Sequence, residues 1–147
     1  MKLLNEMRDE NGRLDLPGVV ERIPYASVLG VRVDQKGNEI TLVMPFKQDL
    51  IGNVMLPALH GGAIGAMLEF TAVIQLLAET DSTSLPKTID FSIDYLRSGR
   101  PVETYARAVI SKHGRRVANV RVEAWQEDRS RAIASGHGHF LVLSDAD

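Results

Sequence analysis

HGGAIGAMLEFTAVIQLLAE, residues 60–79, is the stretch whose reading decides the fold. It contains no proline, few polar residues and helix formers through most of its length, so it predicts a single long helix. The helix is apolar nearly all round, the mark of one enclosed by the rest of its domain. About 20 such residues would also span a bilayer. Glu69 at the centre, together with His60 and Gln75, makes that reading costly, and amphipathic strands follow at once. The expectation is a buried core helix and no membrane.

Downstream the hydrophobic period changes to two. Ile89, Phe91, Ile93 and Tyr95 alternate with Asp90, Ser92 and Asp94, which predicts a strand with the four apolar residues on one face, ending at Ser98-Gly99-Arg100-Pro101. Val102 to Lys112 and Arg115 to Gln126 read as two further strands, joined at His113-Gly114 by a short turn with glycine at positive φ. Ala118, Val120, Val122 and Ala124 share one face of the second. Arg131 to Leu143 is the last strand, with Ala132, Ala134, Gly136, Gly138, Phe140 and Val142 facing inward, its small residues admitting the helix close to the sheet.

Upstream, Val31 to Gln35 and Glu39 to Met44 form a hairpin around Lys36-Gly37-Asn38, and residues 47–59 read as a loop. Leu16-Pro17-Gly18 introduces a short helix over Val19 to Arg22. Residues 1–15 are charged throughout and are expected to be a mobile extension. One central helix with an early hairpin and successive antiparallel strands makes an α+β domain spanning 1–147. A sheet wrapped on one face still has edges to protect, which points to an oligomer.

Composition narrows the function classes. The 147 residues carry a net charge of −2 and no cysteine. Nothing in that balance marks a nucleic-acid or membrane binder. Disulfides, thiolate metal sites and cysteine nucleophiles are excluded together, and a reducing compartment, the cytoplasm, is the expectation.

Glu69 is the residue with most to say about chemistry. A carboxylate midway along a buried helix is disfavoured unless it is paired or has work to do. Its helical neighbours Gly65, Ala66, Ala72 and Val73 are mostly small and leave space beside it. Two readings stand: an ion pair with a buried arginine across an interface, or a base or nucleophile held in an apolar pocket. At the start of the helix, His60-Gly61-Gly62 either permits the turn or presents free N–H groups to a carbonyl oxygen. Gly61 and Glu69 are eight residues apart, about 12 Å along one helix. One carbonyl cannot reach both, so the catalytic reading requires two antiparallel copies of the helix in a dimer.

Gly52-Asn53, Leu59-His60-Gly61-Gly62 and Glu69 nine residues after the histidine resemble the phenylacetate-degradation-type acyl-CoA thioesterases of the hot-dog superfamily. The likeness extends through Ile93-Asp94-Tyr95-Leu96-Arg97-Ser98-Gly99-Arg100-Pro101 and Lys112-His113-Gly114-Arg115-Arg116, covering residues 20–143. It implies a hot-dog fold, a curved antiparallel sheet around one long helix. It implies hydrolysis of an acyl-CoA thioester to acid and coenzyme A, with no cofactor or metal beyond the CoA of the substrate. Glu69 would attack the thioester or activate water, the Gly61 N–H would polarise the carbonyl, and His60 and Asn53 would support them. The family's further Ser or Thr along the helix has Thr71 as its candidate here. The assembly would be a homodimer or homotetramer. Two other functions remain open: a non-catalytic acyl-CoA-binding protein, and a hydroxyacyl dehydratase of the same fold.

Gly62 and five basic residues are candidates for holding CoA. Lys112, Arg115 and Arg116 flank a tight turn and, like Arg97 and Arg100, would meet its phosphates, with Arg97, Arg100 and Arg116 favoured for bidentate contacts; the competing reading is a solvated charged hairpin. His137 and His139 share a strand face at a spacing a metal would accept, but no third ligand accompanies them, so packing or a subunit contact is the expectation.

Overall fold

In a computed structural model describing residues 2–80 and 82–143, the apolar stretch forms one helix. Among the described residues the α-helices are α1 (Lys2–Glu6), α2 (Leu16–Glu21), α3 (Pro24–Leu29) and α4 (Gly61–Glu79). The strands among the same residues are β1 (Arg32–Lys36), β2 (Glu39–Met44), β3 (Ile51–Asn53), β4 (Ala58–Leu59), β5 (Lys87–Tyr95), β6 (Thr104–His113), β7 (Val117–Trp125) and β8 (Ala134–Leu141). Six of them make one antiparallel sheet in the order β1-β2-β6-β7-β8-β5, and β3 pairs only with β4. This is the α+β hot-dog arrangement. The apolar surface of α4 is taken by the sheet, as expected of a core helix.

The helix lies mainly against β6 and β7. Their inward residues Ala106, Ala108, Ala118 and Ala124 are small, and with Val120 and Val122 they meet Ile64, Met67, Leu68 and Ile74 in a continuous core. The small residues of β8 do something different from what was expected of them. A Cβ on Gly136 would stand 2.8 Å from the Phe91 ring, and one on Gly138 would stand 2.6 Å from that ring and 2.4 Å from the Asp90 carbonyl oxygen. The space over those glycines is filled by an aromatic ring from the neighbouring strand, not by the helix. Phe91 and Phe140 then pack edge to face.

Several boundaries differ from the sequence expectation for local reasons. Near the chain start Lys2–Glu6 is helical, Leu4 is buried and Arg8 bridges to Leu14. The short helix begins three residues early because the Asp15 side chain caps it at Gly18, with proline in the first turn. Helix α3, which the periodicity does not reveal, ends at Gly30 with φ +74°. The loop at 47–59 is instead a 3-10 turn (Gln48–Leu50) followed by the β3–β4 hairpin. Gly114 does not take positive φ; the turn runs over residues 114–116, and a Cβ there would meet the Val117 carbonyl at 3.0 Å.

The largest departure concerns β5. Its register against β8 shifts between Thr88 and Asp90, a bulge centred on Ile89. A bulge adds a residue and reverses which side chains face inward on one side of it. Phe91 and Ile93 turn inward as the alternation predicts, but Ile89 is 57% exposed and Thr88 faces α4.

The locked glycines give a stability prediction. Gly138→Ala forces its methyl against a backbone oxygen that cannot swing aside, so unfolding free energy should fall by about 1–3 kcal/mol. Urea denaturation would show this as a lower midpoint; an unchanged midpoint would mean that the strand gives way without cost.

Candidate active site

Helix α4 runs antiparallel to β5, and that opposition places the candidate residues. At the helix start the Tyr95 hydroxyl donates to the Gly61 carbonyl at 2.8 Å. A Cβ on Gly61 would meet the Tyr95 ring at 3.3 Å, and one on Gly65 would meet Ile93 at 2.8 Å. The close approach that Gly65 suggests is thus made by the protein's own edge strand. Farther along, Glu69 reaches Thr88, whose hydroxyl donates to Oε1 at 2.6 Å. The bulge at Ile89 is what turns Thr88 to this position. Sequence reasoning missed Thr88, since the alternation it followed puts Thr88 on the opposite face.

Glu69 is half-buried and opens onto a cleft of about 510 Å³, lined by Ile23, Tyr25, Ala66, Phe70, Val73 and Leu85 among others. Among the described residues no arginine or lysine forms an ion pair with it, and Oε2 has no hydrogen-bond partner. Tyr25 of α3 packs on Phe70 with ring centroids 6.2 Å apart, so α3 roofs the cleft. Of the apolar helix face, Phe70 and Val73 line this space, whereas Met67 is fully buried in the core. The arrangement is a carboxylate with one oxygen oriented and the other available, beside an apolar gap. Such a group can take a proton or attack a carbonyl carbon.

His60 is the N-cap of α4: its Nδ1 accepts from the Gly62 N–H at 2.8 Å. Gly62's amide is therefore occupied within the chain. The Gly61 N–H has no partner among the described residues. Asn53 uses its side-chain oxygen to accept from Met55 and Leu56 N–H groups, closing the β3–β4 turn. Gly52 packs on His60, with 2.6 Å between the position of an added Cβ and the His60 Cα. Thr71 is fully buried and its hydroxyl donates to the Met67 carbonyl, so it offers nothing to the cleft.

The five basic candidates fall into two groups. Arg97 and Arg100 sit beyond Tyr95; Arg97 donates to the Ala132 carbonyl at 2.7 Å and Arg100 pairs with Glu127 at 2.8 Å. They line one polar cleft with Arg131, a residue that the motif reading passed over. Lys112, Arg115 and Arg116 lie around the β6–β7 turn at the opposite end of the sheet, where Arg116 accepts from Val142 through its carbonyl. Within one chain these groups do not meet. His139 Nδ1 lies 2.9 Å from Asp90 Oδ1 on the outer face, and no cluster of three metal-binding side chains occurs among the described residues.

Compared with known proteins, residues 56–133 match the thioesterase superfamily. The chain is 28% identical over 138 residues to the medium/long-chain acyl-CoA thioesterase YigI of Escherichia coli, spanning 84% of this chain and 88% of that one. A solved structure from Chromobacterium violaceum shares 38% identity over 99% of both chains, with a TM-score of 0.77. A Bacillus halodurans protein solved with CoA is alike in fold, with 20% identity, 89% and 93% coverage and a TM-score of 0.73.

One pH-dependent contact is open to measurement. The hydrogen bond from His139 holds the Asp90 carboxyl below its ordinary value of 3.8. A depressed carboxyl contributes stability above the unfolded value and loses it as pH falls through the folded one. An NMR titration should place the Asp90 midpoint below 3.8, with His139→Gln moving it upward; an unmoved midpoint in the variant would argue against the contact.

Proposed function

Because this chain belongs to the thioesterase superfamily, we propose that it hydrolyses acyl-CoA thioesters, with Glu69 as the carboxylate that attacks the carbonyl or activates water. The observation that carries this reading is Glu69 itself: half-buried beside an apolar cleft, oriented through one oxygen by Thr88, and without an ion-pair partner among the described residues. A residue placed only for stability would find a cation there or be apolar. In the reaction water supplies the oxygen of the product acid. It attacks the acyl carbon while Glu69 takes its proton, or it cleaves the anhydride left when Glu69 attacks first. The C–S bond breaks, and the departing thiolate takes up a proton that water supplies. Donors aimed at the carbonyl oxygen stabilise the charge that builds on it.

The Gly61 N–H is the donor proposed for that oxygen, supplied by a second copy of the chain. About 12 Å of helix separates it from Glu69 in the same copy. An antiparallel dimer would bring each Gly61 to the other copy's Glu69. Support comes from β5, a nine-residue edge strand that leaves Ile89 and Tyr95 half exposed. The same symmetry would bring the Arg97–Arg100 end of one copy toward the Lys112–Arg116 end of the other, uniting the two basic groups around the CoA phosphates. His60 supports the site by holding the helix start in shape. Asn53 does the same for the adjoining hairpin.

Mixing two inactive variants tests both the chemistry and the dimer. Glu69→Gln should lower thiol release from acyl-CoA at least roughly a hundredfold with the fold intact. Gly61→Pro removes the proposed donor at a helix position that tolerates proline, and should lower it comparably. Mixed dimers would hold one intact site and regain activity. Full activity in Glu69→Gln alone, or ligand binding without any thiol release in wild type, would sink the hydrolase in favour of a binding protein. Thr88→Val should lower kcat roughly tenfold or more through loss of a bond to a charged group, while Thr88→Ser retains most of it; equal kcat in both variants and wild type would remove Thr88 from the site.

A further inference from the structure

A second apolar hollow of about 360 Å³ lies under α1, walled by Leu3, Leu4, Met7 and Val19 on one side and by Thr83 and Leu85 on the other. It shares Ile23, Leu85 and Lys87 with the cleft at Glu69. The two hollows are therefore neighbours with these three residues in a common wall. We propose that together they form the acyl subsite: with the thioester at Glu69, a straight alkyl chain passes between Ile23 and Leu85 and ends beneath α1. The proposal rests on the thioesterase reading and adds where the chain goes and which residues set its length.

Three features favour an alkyl occupant. The walls are mainly hydrocarbon, and no buried side-chain nitrogen or oxygen among the described residues lacks a partner. The groove thus favours an apolar occupant over a polar one. Leu3 and Leu85 are 46% and 43% exposed along its rim, apolar surface that an alkyl chain would cover. Arg22 and Lys87 also line the space, and side chains of this kind can lay their aliphatic stems along an alkyl chain while their charged ends stay in water.

The far wall is also a built one. Met7 accepts from the Asp15 N–H at 2.9 Å, tying the end of α1 to the start of α2. Arg8 donates to the Ser82 carbonyl at 3.4 Å, linking that segment to the strip carrying Thr83 and Leu85. Ser82 in turn donates to the carbonyls of Ser84 and Leu143. An N-terminal segment fixed on both sides gives the chain a defined end. Each methylene buried there adds about fourfold to kcat/KM.

The test compares butanoyl-, octanoyl-, dodecanoyl- and hexadecanoyl-CoA by thiol release in wild type, Leu85→Trp and Met7→Trp. The first variant plugs the passage and the second fills the far groove; melting curves establish that each is folded. Wild-type kcat/KM should rise with chain length, and in each folded variant the dodecanoyl-to-butanoyl ratio should fall at least tenfold. A wild-type profile flat with length, or folded variants that parallel the wild type, would overturn the groove and leave the hydrolase standing. Absence of thiol release from every substrate would instead overturn the hydrolase, and the groove with it.

Discussion

The structure depends on enclosing α4. A nineteen-residue helix with apolar side chains on almost every face is insoluble as a surface element, and burying it recovers free energy in proportion to the area removed from water. The sheet supplies the cover. Alanines on β6 and β7 let the helix axis come close, and larger side chains of both layers fill the volume between. The part of α4 that the central strands do not cover faces β5 and α3, and there the carboxylate and its cleft are found.

That location follows from the same enclosure. On the β6 and β7 side a charged group would be desolvated without compensation. Along the β5 and α3 side the contact is looser, and Ala66 and Val73 leave room beside Glu69. The edge strand does two jobs there: its Tyr95 and Ile93 press on the glycines of the helix start, and its Thr88 orients the carboxylate. The bulge at Ile89 reconciles them. Without it, Thr88 and Phe91 would lie on opposite faces, and either the carboxylate or the space above Gly136 and Gly138 would lose its partner.

The short N-terminal elements complete the enclosure. Helix α3 places Tyr25 over Phe70, α2 buries Leu16, Val19 and Val20, and α1 adds Leu4 to the same core. Each is too short to be stable alone. Each exists because the hydrophobic strip it covers is already in place, and together they shape the apolar space leading away from Glu69.

What the sequence determined by itself is whatever depends on neighbours along the chain. The continuous apolar run of α4 and the alternation in β7 and β8 prescribe element type directly, since period and burial are local properties of a helix or strand. The same holds for Glu69, conspicuous because its charge interrupts that run, and for the glycines at the helix start. What the tertiary structure alone decided is whatever depends on partners remote in sequence. Thr88 meets Glu69 only because a register shift against β8 turns it inward; Gly136 and Gly138 are small because of Phe91, forty-odd residues away. The oxygen of Asn53 goes to its own hairpin, and the basic residues separate to opposite ends of the sheet. A pairing register is set by the sum of contacts across two strands, and no window of one strand contains that sum.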